Sequence, residues 1–345
     1  MKRVLITNGA HLGDVVLSTA VLPVLKAAFP GVRIGMLVGN WSRPVVDEHP
    51  LLDWIHRVDH WKISRADLSR FERFRVYWRT RRQALREIRE VGYDVAIDLY
   101  FYFPNSVGLL WQAGIPRRIG YTSAGLGPLL HHRLDLDLGR SDRSIVELHL
   151  DLVRLIPGCP PLQTALAKPV LPRRDLDTTH LTGGGDYIVL HMGSGSALKD
   201  WPEPSWQTLA RRLVDEGCRV VLTGSGAGEK ARIVRLKDQV PEAIDLCDRA
   251  KWGEFIEIVA GARLLVGVDS VAGHAAAAVG TPVVIARHGM NNLALWRPVG
   301  ARSVLLMHVV PCAPCYRKQG CSTMDCLRQL APDTVLAGVA DLQTR

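Results

Sequence analysis

Val266-Gly267-Val268-Asp269-Ser270-Val271-Ala272-Gly273-His274 runs on through small residues to Val279, then into Gly280-Thr281-Pro282-Val283-Val284. Residues 264–268 are an apolar run of strand length, and residues 270–279 hold the small side chains that suit a closely packed helix. Gly280 breaks that helix and a second strand opens at Val283. Strand, turn, helix and returning strand make a βαβ unit, the building block of a parallel sheet. Asp269 and Ser270 then fall where a strand's carboxyl end meets a helix N-terminus. Ligands bind at that end of open α/β sheets, because free helix N–H groups and the helix dipole favour anions. A plain helix cap at Asp269 serves the same turn.

The same alternation runs outward in both directions. Residues 3–7 read as a buried strand, 8–14 as a turn, 15–29 as a helix stopped by Pro30-Gly31, and 32–38 as the next strand. Strands follow at 52–58, 94–99 and 117–121, and helices at 77–91, 105–113 and 145–156. In the helix at 77–91, Trp78, Leu85, Ile88 and Val91 are expected to share the packed face, with Arg79, Arg82, Arg86 and Arg89 on another. Prolines 157, 160, 161, 169 and 172 and the triplet Gly183-Gly184-Gly185 then interrupt the pattern. After them the alternation restarts at 187–192 and continues to a last helix at 332–342. The fold class expected is α/β, with two doubly wound domains facing a central cleft. The expected boundaries are 1–165 for an acceptor-binding domain, 166–185 for a linker, and 186–345 for a donor-binding domain.

Composition agrees with this. A chain of 345 residues with 47% apolar and 22% charged residues is an ordinary globular protein, long enough for two cores. It lacks the run of about 18 apolar residues that a membrane-crossing helix needs. Met1 leads straight into a strand pattern rather than a leader, so a cytoplasmic protein is expected. The net charge of +9 is uneven: residues 62–89, from Lys62 to Arg89, carry ten Lys or Arg against three Asp or Glu. That segment suits anionic headgroups or phosphorylated glycans, and so peripheral contact with the inner face of a membrane. No helix-turn-helix, zinc-finger or RNA-binding signature accompanies it, so no nucleic acid partner is expected.

Three further turns carry chemistry. Gly13-Asp14 lies just past the first strand, where a carboxylate can accept a proton from a hydroxyl nucleophile or merely complement a helix dipole. Gly193-Ser194-Gly195-Ser196-Ala197-Leu198-Lys199 follows the first strand of the second half; its small residues, hydroxyls and lysine make a phosphate cradle. The Gly-Lys-Ser/Thr ending of a Walker loop is absent. Glu229, after Gly224-Ser225-Gly226-Ala227-Gly228, is placed to hold ribose hydroxyls or to cap a surface helix.

Taken together these pieces resemble glycosyltransferase family 9, the ADP-heptose:lipopolysaccharide heptosyltransferases. The matching stretches are Arg3-Val4-Leu5-Ile6 with Gly13-Asp14-Val15, Leu22-Pro23-Val24-Leu25 with Phe29-Pro30, Tyr93-Asp94-Val95-Ala96-Ile97-Asp98, Lys199 through Trp206, Asp269-Ser270 with His274, and Gly280-Thr281-Pro282-Val283. The resemblance implies a GT-B architecture and inverting transfer from ADP-heptose with no catalytic cofactor. It implies Asp14 as base, and Ser194, Gly195, Ser196 and Lys199 at the donor diphosphate. Glu229 would hold the ribose, Asp269 the sugar hydroxyls, and Ser270 and His274 would sit close to the phosphates. Val271 stands where the family usually has Gly, and Arg287-His288-Gly289-Met290-Asn291-Asn292 replaces the usual Phe-Gly-Pro-Thr.

Late in the chain, Cys312-x2-Cys315-x5-Cys321-x4-Cys326 places four thiols within fifteen residues. Such a set suits a structural tetrahedral Zn or Fe, and the segment resembles the iron-binding finger of bacterial autotransporter heptosyltransferases. The expected acceptor is an anionic glycolipid, the lipopolysaccharide inner core. A protein hydroxyl or a small natural product is the alternative acceptor. A non-catalytic nucleotide-sugar binding protein and a nucleotide-sugar epimerase are the alternatives of other classes.

Overall fold

The structure is a computed structural model that describes residues 1–64, 68–136, 142–317 and 319–343. The chain divides into two compact units, Met1–Pro172 and Arg173–Arg345. That division lies inside the proline- and glycine-rich stretch, where few regular elements hold the backbone.

In the first unit the strands are β1 (Arg3–Thr7), β2 (Arg33–Val38), β3 (Trp54–Arg57), β4 (Val95–Asp98), β5 (Arg117–Tyr121) and β6 (His132–Leu134). The helices between and after them are α1 (Leu12–Ser18), α2 (Val21–Ala28), α3 (Arg43–Val46), α4 (Arg70–Val91), α5 (Val107–Gln112) and α6 (Ile145–Arg154). The strands form one parallel sheet in the order β3-β2-β1-β4-β5-β6. Helices cover both faces of such a sheet, so its central strands read as continuous apolar runs. Val4, Leu5, Ile6, Ala96 and Ile97 are accordingly fully buried. Chain order reverses between β1 and β4, where Thr7 is paired with Asp98. That reversal is the switch point at which doubly wound sheets open a binding crevice.

The second unit repeats the plan. It contains α7 (Thr179–Thr182), β7 (Ile188–His191), α8 (Glu203–Asp215), β8 (Val220–Thr223), α9 (Ala227–Gln239), β9 (Ile244–Asp245), α10 (Trp252–Ala260), β10 (Leu264–Val268), α11 (Val271–Ala278), β11 (Val283–Ala286), β12 (Ser303–Leu306), α12 (Asp325–Arg328) and α13 (Pro332–Gln343). Its sheet runs β12-β11-β10-β7-β8-β9, all parallel, and switches between β7 and β10. Alternation along each strand feeds two cores. Leu190 and Val266 pack with Trp201, Trp206 and Leu209 of the α8 side, while Val189 and Leu265 pack with Ile258, Ala272 and Ala276 of α10 and α11. The small-residue helix is needed there: a Cβ on Gly273 would lie 2.6 Å from Ile285 Cδ1, so α11 packs directly onto β11.

Four local expectations are corrected. The single helix expected at 15–29 is two, α1 and α2, parted at Thr19-Ala20. Pro23 has no N–H to return to the Thr19 carbonyl, which accepts instead from Leu22 at 3.0 Å. Helix α4 starts seven residues earlier than position 77, at Arg70, because Ser69 and Glu72 form a reciprocal capping box there. The half-exposed strands β6 and β12 were absent from the alternation; they are edge strands with only one neighbour and little apolar signal. Trp78 does not join the packed face of α4: the inward stripe is Thr80, Ala84 and Ile88, and Trp78 is 40% exposed. No helix among the described residues is long and apolar enough to cross a membrane.

Candidate active site

In the first unit the loop leaving β1 is held from inside. Buried Asn8 donates through Nδ2 to Ser18 Oγ at 2.7 Å and accepts the Ala10 N–H through Oδ1 at 3.0 Å. Trp41 Nε1 and Ser42 Oγ both donate to the Ala10 carbonyl, at 2.6 and 3.1 Å. This fixes the start of α1, and Asp14 emerges in its first turn. One carboxylate oxygen accepts the His11 N–H at 3.1 Å, while the side chain stays half-buried rather than packed into the core. Across the switch point stand Tyr100 and Tyr102, just after β4. Both phenols are held protonated, first by burial and then by the negative charge of Asp14.

Asp98 ties the two loops together. Its carboxylate accepts from Thr7 Oγ1 at 2.9 Å and from the Ser106 N–H at 2.8 Å. Burial raises its pKa to about 6, against these hydrogen bonds. Asp98 is a support for the site that spacing alone did not single out; its position as the last residue of a buried strand was the available signal.

The second unit gathers most of the expected donor-binding residues at its own switch point. Ser194, Gly195, Ser196 and Lys199 lie in the loop after β7, and Asp269 and Ser270 follow β10. Ser194 Oγ donates to the Ser196 carbonyl at 2.7 Å, and Ser196 Oγ accepts the Leu198 N–H at 3.3 Å, so the cradle is shaped by its own hydroxyls. Lys199 crosses the switch point: its Nζ donates to Asp269 Oδ2 at 2.9 Å and to the Asp269 carbonyl at 3.2 Å.

Asp269 is the centre of the charge arrangement. Burial alone would raise its pKa, but the Arg287 guanidinium, His288 and Lys199 more than offset that and hold it well below the usual carboxylate range. Arg287 Nη2 lies 3.7 Å and His288 Nε2 3.5 Å from Oδ2, a charge contact and the outer limit of a hydrogen bond. Both side chains are fully buried. The sequence marked this pair only as a departure from a family pattern; the fold brings it onto the key carboxylate.

Around Asp269 several buried polar atoms make no hydrogen bond, although Arg287 Nη2 and His288 Nε2 keep their longer contacts with its carboxylate. Ser270 Oγ, His274 Nδ1, Arg287 Nε and Nη2, and His288 Nε2 are buried and make no hydrogen bond. Each full orphan costs about 1–3 kcal/mol, so the three at Ser270 Oγ, His274 Nδ1 and Arg287 Nε mark a site shaped for a polar ligand rather than for packing alone. His274 is kept neutral, its pKa lowered to about 4, first by burial and then by Arg287 and Lys199, although Asp269 pulls the other way. It is thus an uncharged hydrogen-bonding group at pH 7.

Glu229 reaches the same loop from α9. A Cβ on Gly193 would sit 1.9 Å from the Glu229 carboxyl carbon, so only glycine lets the two approach. The carboxylate accepts the Ser225 N–H at 2.9 Å, and burial raises its pKa. Arg232, three residues on and so on the same helix face, pairs with Asp200 at 2.8 Å. Reading for glycines and carboxylates passed over this arginine.

The four-cysteine segment is a support rather than a preformed ion site. Cys312, Cys315, Cys321 and Cys326 line one cavity of about 260 Å³, with Met290, Met324 and Asp325. Among the described residues, however, no three His, Cys, Asp or Glu side chains are grouped to hold an ion, so the arrangement does not fit the expected tetrahedral Zn or Fe. Two of the sulfurs hold backbone: Cys326 Sγ accepts the Gly289 N–H at 3.2 Å and Cys321 Sγ the Met324 N–H at 3.3 Å. Cys315 N–H in turn donates to the Gly289 carbonyl at 2.9 Å, and Gly320 packs against Leu198. The segment therefore braces both the His288-Gly289 loop and the Lys199 loop.

The model of glycosyltransferase family 9 (heptosyltransferase) matches residues 81–326. Lipopolysaccharide heptosyltransferase 1 of Pseudomonas aeruginosa is 29% identical over 326 residues, which cover 92% of this chain and 86% of that protein. A family 9 glycosyl transferase from Veillonella parvula superposes with a TM-score of 0.76 at 19% identity, over 99% of this chain and 97% of that one. An Escherichia coli heptosyltransferase solved with ADP gives 0.75 at 19% identity, over 99% of both chains. At such identities the structural likeness is one of fold, the GT-B type with two Rossmann-like units.

Proposed function

The chain belongs to glycosyltransferase family 9 and is a glycosyltransferase; on that premise we propose that it moves a heptose from ADP-heptose to a hydroxyl of an anionic glycolipid, the lipopolysaccharide inner core. The observation that carries the donor half is the group of buried donors and acceptors near Asp269 that make no hydrogen bond within the protein. A sugar with its diphosphate offers the hydroxyls and anionic oxygens those groups lack. The names of the relatives support a heptose, and the Escherichia coli structure with ADP supports the nucleotide.

Asp14 takes the proton from the acceptor hydroxyl as its oxygen attacks the anomeric carbon opposite the diphosphate. The bond from that carbon to the diphosphate oxygen breaks and ADP leaves with the electron pair, which inverts the anomeric centre. Lys199, released from Asp269 by the incoming phosphates, and the loop N–H groups at 194–196 meet the developing negative charge. Asp269, freed of that lysine but still facing Arg287, stays ionised and accepts from sugar hydroxyls. The positive charge at the leaving group thus comes from side chains, and the proposed transfer needs no metal.

Asp14→Asn tests the base. With ADP-heptose and inner-core acceptor, turnover is expected to fall by roughly 10²–10⁴ while the Kd for ADP is unchanged. Near-normal turnover would remove Asp14 from the role.

A further inference from the structure

The outward side of α4 pairs aromatic residues with a strip of arginines, in a way that packing does not explain. At about 100° per residue, Phe71, Phe74 and Trp78 fall within about 60° of one another on that helix, about 110° round from its buried stripe of Thr80, Ala84 and Ile88. Phe71 is 71% exposed, Phe74 47% and Trp78 40%. Phe74 and Trp78 meet edge to face with ring centroids 5.9 Å apart, and Arg81 stands 5.5 Å over the Trp78 ring. Arg75, Arg79, Arg82, Arg86 and Arg89 lie along the adjoining strip and are all exposed. The strip is bordered by Glu72, which also feels the charge of Arg75, and by exposed Glu90, so its five guanidinium groups outnumber the carboxylates beside them. Glu72 is used by Ser69 in the cap, and Glu87 turns to His56 at 3.0 Å. On the neighbouring α5, Gln112 accepts from Arg81 at 2.6 Å and from Arg89 at 2.7 Å, and Trp111 beside it is 52% exposed. Residues 65–67 of the basic segment lie outside the described residues and carry no part of this reading.

We propose that this face of α4 is the surface by which the protein sits on an anionic phospholipid bilayer, with Phe71, Phe74 and Trp78 entering the headgroup boundary and the arginines lying on the phosphates. Charge complementarity selects the occupant: a row of guanidinium groups in excess of the carboxylates beside it, next to a compact apolar wedge, matches an interface that is anionic at its surface and apolar just beneath it. Aromatic rings of this kind are stable at that depth, whereas in water their exposed area is unfavourable. The choice of a membrane rests on the glycolipid acceptor proposed above; the face itself rests on the exposures and the charges.

The test is co-sedimentation of the full chain with vesicles of phosphatidylglycerol and phosphatidylethanolamine, against vesicles of phosphatidylcholine. Binding is expected to the anionic vesicles only. The triple variant Phe71→Ser, Phe74→Ser, Trp78→Ser is expected to lose at least tenfold in partition. The variant Arg75→Gln, Arg79→Gln, Arg82→Gln, Arg86→Gln is expected to lose roughly a hundredfold or more, at about fivefold per arginine. Turnover on an acceptor freed of its acyl chains should match wild type in both, since no altered residue lies in the site. If wild type ignores anionic vesicles, or the triple variant binds them as wild type does, the proposal fails. It also fails if the triple variant converts a dimer to a monomer, because the face would then be a self-contact. Lack of turnover on the soluble acceptor with vesicle binding intact would strike the glycosyl-transfer reading and leave the membrane surface standing.

Discussion

At the scale of single residues, the decisive contacts are those that glycine or burial alone permits. Gly193 has ordinary backbone angles, so space rather than conformation requires it: its missing Cβ leaves room for the Glu229 carboxylate. In Gly193→Ala the flexible end of Glu229 must swing away, at little cost in stability. Unfolding midpoints should therefore match wild type, while ADP binding by titration calorimetry weakens about tenfold, the loss of a hydrogen bond or two to ribose. Unchanged ADP affinity would leave Glu229 as packing only. Asp14, Lys199 and Asp269 were legible as residues because strand ends followed by small or polar turns announce themselves. The partners Arg287 and His288 were not, since nothing in local spacing tells a buried arginine from a surface one.

At the scale of elements, boundaries followed chemistry that a period count overlooks. Pro23 split one expected helix, and the Ser69–Glu72 box lengthened another by two turns, carrying Phe71 and Phe74 into helical register on the outer face. Removing that cap should fray the same turn. Ser69→Ala is expected to cost the helix about 1 kcal/mol, read as roughly fivefold faster amide exchange at residues 72–75 with no change at 84–91. Equal exchange in both stretches would mean that the first turn is held by something other than its cap. The two strands absent from the sequence pattern are sheet edges, where a strand packs one neighbour and its residues need not be apolar.

For the whole molecule, buried histidines set the response to acid. Burial lowers His149 to about 3 in the first unit, and His191 and His274 to about 4 in the second. Each is neutral when folded yet titrates near 6.5 when unfolded, so the unfolded chain binds more protons below that pH. Stability is therefore present in full above 6.5 and lost as pH falls towards 4, by up to about 1.4 kcal/mol per pH unit for each histidine. Asp98, raised to about 6, works in the opposite direction between pH 4 and 6 and offsets one of the three. Thermal melts should show the second unit weakening from pH 6.5 to 4.5 and the first by less, since Asp98 opposes His149 there; His149→Leu should shift the slope of the first towards greater stability at low pH. A midpoint independent of pH across that range would contradict the burial of these imidazoles.

The amino-acid sequence alone determined the alternation of strand and helix, the break between two similar halves and the strand ends at which Asp14, Ser194, Lys199 and Asp269 stand. These are local properties, written in hydrophobic period and turn chemistry over a few adjacent residues. The tertiary structure alone decided what met across the chain. It set Glu229 against Gly193, Arg287 and His288 against Asp269, and the Cys326 sulfur onto the Gly289 N–H. Those contacts join residues far apart in the chain, and their energies depend on burial and distance, which no window of sequence contains.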